Sequence, residues 1–160
     1  MAVTGSVGVF ECRGMTTLAA ALDAMGKAAS VRLSGRHGIG SGWLTIIIDG
    51  TTADVQTAMA AADVAAQRHG EIITSLILPR PEDATLASMP HTQTALDDVE
   101  LSAGEAIGWL ETKGVVPLIV GVDRMLKAAD VILLGWTFIG GALVHAAVKG
   151  SVADVEAAIA

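Results

Sequence analysis

Aromatic side chains are scarce in this 160-residue chain: Trp43, Trp109, Trp136, Phe10 and Phe138 are the whole set, and tyrosine is absent. Apolar residues nevertheless make up 52% of it, so Ala, Val, Ile and Leu must build the core. A lone cysteine, Cys12, excludes an internal disulfide framework and any multi-cysteine zinc or iron–sulfur site within one chain. Charged residues are only 17%, and the mean hydropathy of +0.57 excludes a disordered chain. Such a chain is expected to hide apolar area against partner chains as well as inside itself. Met1–Gly8 has neither a basic start nor a long apolar run, which reads against a signal peptide and sets the expected compartment as the cytoplasm.

The net charge of −7 is unevenly placed. Residues 1–81 carry six bases and six acids, and residues 106–160 carry four bases and five acids. The stretch 82–105 holds Glu82, Asp83, Asp97, Asp98, Glu100 and Glu105 with no base at all. With Pro90, Gly104 and several Ser and Thr, it reads as an acidic, solvated linker. No basic stripe is left to neutralise phosphates, which argues against nucleic acid as a partner.

What the chain does contain is a repeat. Glu11-Cys12-Arg13-Gly14 recurs as Glu111-Thr112-Lys113-Gly114, and the shift of 100 holds without a gap from 7–60 onto 107–160. Twenty of those 54 positions are identical, among them Asp23/Asp123, Met25/Met125, Lys27/Lys127, Gly35/Gly135, Gly40/Gly140 and Asp54/Asp154. The chain is a tandem duplication, expected as a first domain at 1–81, the linker at 82–105 and a second domain at 106–160.

Each copy reads as βαββαβ. Val7–Arg13 is expected as a strand turning at Gly14, and Leu18, Leu22, Met25 and Ala29 mark an amphipathic helix over 17–29. Val31–Gly35 and Trp43–Asp49 read as strands joined by the Gly-rich connection Arg36–Gly42. Thr51-x-x-Asp54, repeated as Ser151-x-x-Asp154, is a capping signal for a second helix ending at Gly70. Glu71–Leu78 is a last strand, stopped by Pro79-Arg80-Pro81. This order is the split-βαβ, ferredoxin-like pattern: an α+β fold with an antiparallel sheet and both helices on one face.

Val131–Val148 has no formal charge over 18 residues, near the threshold for a membrane span. Its repeat partner carries Arg32, Arg36 and His37, so the segment is expected to be a strand–loop–strand and no membrane partner is expected. The second copy also looks short, because the counterparts of 61–81 would lie past Ala160. Either the sequence is incomplete, which is the expectation, or another segment covers the sheet edge.

Gly8–Gly14, Ala21–Val31, Ile39-Gly40-Ser41-Gly42 and Leu78-Pro79-Arg80-Pro81 together resemble the bacterial microcompartment shell domain. Residues 106–160 resemble a second one through Gly114, Asp123–Val131 and Ile139-Gly140-Gly141. With both copies in the usual element order, the resemblance implies a non-permuted tandem shell protein. It implies homotrimers that imitate hexamers and tile, with other shell proteins (hexamers and pentamers), around a cytoplasmic compartment. Contact with the enclosed enzymes is admitted, and small polar metabolites would cross a central pore.

The same resemblance assigns Lys27, Lys127 and Arg80 to contacts at the tile edge. Asp23→Lys27 and Asp123→Lys127 are equally i,i+4 helix pairs, and a lysine can serve both roles; Arg80 also reads as a solvated residue after a strand. Gly40, Ser41 and Gly42 would line the pore, alternating with Gly140, Gly141 and Ala142, with Arg36 and His37 at its mouth. A flexible interstrand turn is the plainer reading of the loop, and a solvated side chain that of His37. A nucleotide loop is a poor reading because a strand, not a helix, follows it. Neither loop carries the cysteine that ligates an iron–sulfur cluster in some tandem relatives, so no cofactor and no metal are expected. His69, His91 and His145 lack ligand spacing. Cys12 is expected as a buried apolar residue rather than a nucleophile. No nucleophile–base–orienter set can be assembled, so no enzyme is expected. The competing class is a duplicated ferredoxin-like small-molecule-binding or regulatory module.

Overall fold

The computed structural model describes residues 5–82 and 99–160 and divides the chain into two compact units, Met1–Pro81 and Glu82–Ala160. Most of the acidic stretch, with Asp83, Asp97 and Asp98, lies outside the described residues, as does His91.

The first unit runs β1 (Ser6–Arg13), α1 (Met15–Ala28), β2 (Arg32–Gly38), β3 (Trp43–Gly50), α2 (Thr52–Ala66) and β4 (Glu71–Pro79). Its sheet has the order β2-β3-β1-β4, and every pairing is antiparallel. Side chains alternate across a strand, so β1 sends Phe10 and Cys12 to one face and Val9 and Glu11 to the other. Phe10, Cys12, Ile46 and Ile48 pack with Leu18 and Met25 of α1 and with Val55, Met59 and Ala62 of α2. Both helices therefore lie on one face, and aliphatic side chains fill the space between. Gly8 makes that packing close: a Cβ there would sit 2.9 Å from Ile48 and from the Met59 sulfur. Thr51 caps α2 by accepting the Asp54 N–H at 3.2 Å, as its Thr-x-x-Asp spacing implies.

Two boundaries differ from the sequence expectation: α2 ends at Ala66 rather than Gly70, and the end of β2 lies further along. β2 continues to Gly38, taking up residues of the expected Arg36–Gly42 connection. Glycine weakens an isolated strand, but β3 offers a continuous ladder, and Arg36, His37 and Gly38 pair with Ile46, Thr45 and Leu44. A register shift between Leu33 and Gly35 accommodates the extra residue.

The second unit repeats the order as β5 (Glu105–Lys113), α3 (Val115–Ala128), β6 (Ile132–Gly140), β7 (Leu143–Ser151) and α4 (Val152–Ile159). Residues 131–148 thus form strand, turn and strand. The sheet is three-stranded, β5-β7-β6, and among the described residues β5 pairs with β7 alone. Ser151 caps α4 by accepting the Asp154 N–H at 3.1 Å. Gly108 repeats the role of Gly8: a Cβ there would meet Ile159 at 2.7 Å and Val155 at 2.9 Å. Both units are the α+β fold expected from the repeat.

Candidate functional site

The two interstrand loops share one construction. Gly40, Ser41 and Gly42 have φ of 87°, 55° and 75°, three successive residues in the left-handed region. Trp43 N–H donates to the Gly40 carbonyl at 3.0 Å, closing the turn, and Gly14 N–H donates to the Gly42 carbonyl at 3.0 Å. In the second unit Gly140, Gly141 and Ala142 have φ of 120°, 60° and 69°, and Gly114 N–H donates to the Ala142 carbonyl at 2.8 Å. Each loop is therefore held to the corner where the first strand of its unit enters the first helix. Gly40, Ser41, Gly42 and Gly141 are exposed, and Gly140 is half-buried. Ala142 is fully buried, so its methyl faces the protein and leaves Gly140 and Gly141 as the surface of that loop. Of the aromatics near it, Trp136 is buried and Phe138 exposed.

Arg36 and His37 lie on opposite faces of the sheet. Arg36 lies opposite Ile46, on the helix-bearing face, whereas His37 lies opposite Thr45, on the other face. Strand alternation thus divides the two expected mouth residues between the two sides of the sheet.

His37 instead joins a row that sequence reasoning missed. His37, Thr45 and Glu11 are register partners across β2, β3 and β1, and the Thr45 hydroxyl donates to Glu11 Oε1 at 3.0 Å. Glu11 and Thr45 are fully buried. The second unit aligns Thr137, His145 and Glu111 across β6, β7 and β5, with the His145 ring 5.2 Å from Trp109. Histidine and threonine have exchanged places while the glutamate has stayed. The signal was present in the repeat, as the reciprocal substitutions His37/Thr137 and Thr45/His145.

The two helix lysines are not equivalent. Lys27 Nζ meets Asp23 at 2.6 Å with both side chains well exposed, the lysine at 75%. Lys127 Nζ meets Asp123 at 2.7 Å, but the Asp123 side chain is only 9% exposed and also accepts the Glu82 N–H at 3.2 Å. Arg80 is exposed at the end of β4, with φ of 51° and its N–H on the Gly5 carbonyl at 3.3 Å.

Cys12 is fully buried in the helix-side core. Burial, reinforced by the Glu11 charge, pushes its thiol up to about 11, so it stays protonated and inert at neutral pH. Among the described residues no group of three His, Cys, Asp or Glu side chains could hold a metal ion, and no helix is long and apolar enough to cross a membrane.

A family model described as the BMC domain matches residues 6–81 and 106–160. The carboxysome assembly protein CcmO of Synechocystis is 32% identical over 96% of this chain and 54% of its own length. The CcmO of Synechococcus elongatus is 33% identical over 97% of this chain and 58% of its own. The chain thus spans little more than half the length of these two relatives. The microcompartment shell protein EutM of Salmonella typhimurium is 42% identical over 48% of this chain and 79% of its own length. A crystal structure of a microcompartment protein from Desulfitobacterium hafniense superposes with a TM-score of 0.75, at 28% identity, over 96% of this chain and 82% of that one.

Proposed function

The chain belongs to the BMC domain family, and on that premise we propose that it is a structural shell protein of a bacterial microcompartment in the cytoplasm. Three copies form a ring that imitates a hexamer, since a duplicated unit turns six equivalent positions into three chains about a threefold axis. The rings tile edge to edge, with Lys27, Lys127 and Arg80 at the contacts, beside other shell proteins. Small polar metabolites cross the ring through the loops at Gly40–Gly42 and Gly140–Gly141. Its role is architecture and passage, with no chemical step.

The observation that carries this reading is the shared construction of the two loops. Each is poor in side chains, left-handed in backbone and held to the same corner of its unit, which is how a narrow opening can be lined by backbone and one hydroxyl. The shell and assembly proteins among the relatives support it further. Light scattering and electron microscopy test it together. We expect a mass three times that of the 16.3 kDa chain and flat sheets or tubes at high protein concentration. A concentration-independent monomer or dimer that never assembles overturns it.

A further inference from the structure

Between α2 and β4 of the first unit runs a groove of about 460 Å³, lined by Gln56, Met59 and Asp63 from the helix and by Ser75, Leu76 and Ile77 from the strand. Ser75 and Ile77 pair with Phe10 and Gly8, which places both on the helix-bearing face. Met59, 3% exposed, makes the groove's floor apolar. Into this setting the fold puts one carboxylate. The Ser75 hydroxyl donates to Asp63, but burial dominates and raises its carboxyl above the ordinary range.

Among the described residues no base forms an ion pair with Asp63. The residues three and four away on the helix are Met59, Ala60, Ala66 and Gln67. The groove also lies beside a sheet edge, because among the described residues β4 pairs with β1 alone. Its outward N–H and C=O groups can take an added strand.

We propose that this groove is a docking site for a lysine side chain, presented by an extended segment of a partner protein that adds to the outer edge of β4. The lysine stem lies over Met59 and Ile77 while its ammonium meets Asp63, with the Ser75 and Gln56 oxygens as further acceptors. A free alkylamine would satisfy the carboxylate but leave the strand edge unmet, and the groove is large enough for a side chain and its flanking backbone. The site uses neither the interstrand loops nor the helix lysines.

Methyl NMR of the full chain, with Met59 as reporter, tests it using the capped peptide Thr-Val-Lys-Val-Thr. The peptide should shift the Met59 methyl saturably. Asp63→Asn in the protein, or norleucine for lysine in the peptide, should each weaken binding roughly tenfold, as loss of one charge-assisted contact does. Asp63→Asn should leave the remaining methyl spectrum unchanged, since it is nearly isosteric. Binding should also fall as pH drops through the Asp63 pKa in the natural protein and not in the variant. The proposal is overturned if the peptide leaves Met59 unmoved, if Asp63→Asn binds it equally well, or if n-butylammonium binds as tightly as the peptide.

Discussion

Thr45 Oγ1 donates to Glu11 Oε1 at 3.0 Å across β3 and β1, and both side chains are fully buried. A carboxylate removed from water must be met by donors, and this hydroxyl is one of them. Thr45→Val keeps the β-branched shape that suits a strand and deletes only the donor. It should cost about 1–3 kcal/mol, the range for weakening the satisfaction of a buried group. Urea unfolding monitored by tryptophan fluorescence measures this. A loss below a few tenths of a kcal/mol would show that the bond contributes nothing.

Cys12 gives a chemical test of the same core. With its thiol raised to about 11, the thiolate fraction at pH 8 is ~100-fold below that of an ordinary thiol. Iodoacetamide at pH 8 should therefore leave the folded chain unlabelled and modify it fully once denatured. The sign for stability follows: the group favours the folded state below the ordinary thiol pKa, and that contribution fades as pH rises from about 9 towards 11. Cys12→Ala should flatten the alkaline limb of the stability–pH curve.

How far the sequence could be read depended on whether the signal was local or lateral. The capping residues Thr51 and Ser151 and the strand–turn–strand at 131–148 follow from nearest-neighbour chemistry and from the repeat, and the structure has them. The far end of β2 does not, because Arg36, His37 and Gly38 read as part of a Gly-rich connection until β3 supplies the ladder that holds them. The split of Arg36 from His37 required only strand alternation, but it could not be applied while both residues were assigned to a loop. The Asp63–Ser75 groove joins a helix to a strand, and no spacing within either element announces it.

The duplicated lysines should respond unequally to mutation, although their motifs are identical. Lys27 and Asp23 form an exposed pair, so Lys27→Asp should alter thermal stability by less than about 1 kcal/mol. Lys127→Asp sets a second carboxylate beside Asp123, whose side chain is only 9% exposed, and should cost about 2 kcal/mol or more. Assembly is therefore best tested with Lys27→Asp alone, which places unpaired negative charge on the helix without disturbing the fold. Loss of sheets by electron microscopy at unchanged melting temperature is expected. Normal sheets would make Lys27 ordinary helix surface.

Ser41 carries the only hydroxyl at the tip of either interstrand loop, and it is exposed with φ of 55°. Three such hydroxyls about a threefold axis, with neighbouring N–H groups, would offer donors to a small polar or anionic metabolite. The Gly140–Gly141 loops would offer backbone alone. Selection would then rest on size and donor placement. Ser41→Leu removes the donor and adds bulk at a left-handed position, where a residue with a Cβ already costs about 1–2 kcal/mol. Serine bears that same conformational cost, so the fold should survive the change. Ser41→Asn serves as the companion, because asparagine tolerates the left-handed backbone and restores a donor. Metabolite flux across assembled shells should fall for Ser41→Leu and be retained, in part, by Ser41→Asn. Equal flux through natural and Ser41→Leu shells would mean that metabolites take another route.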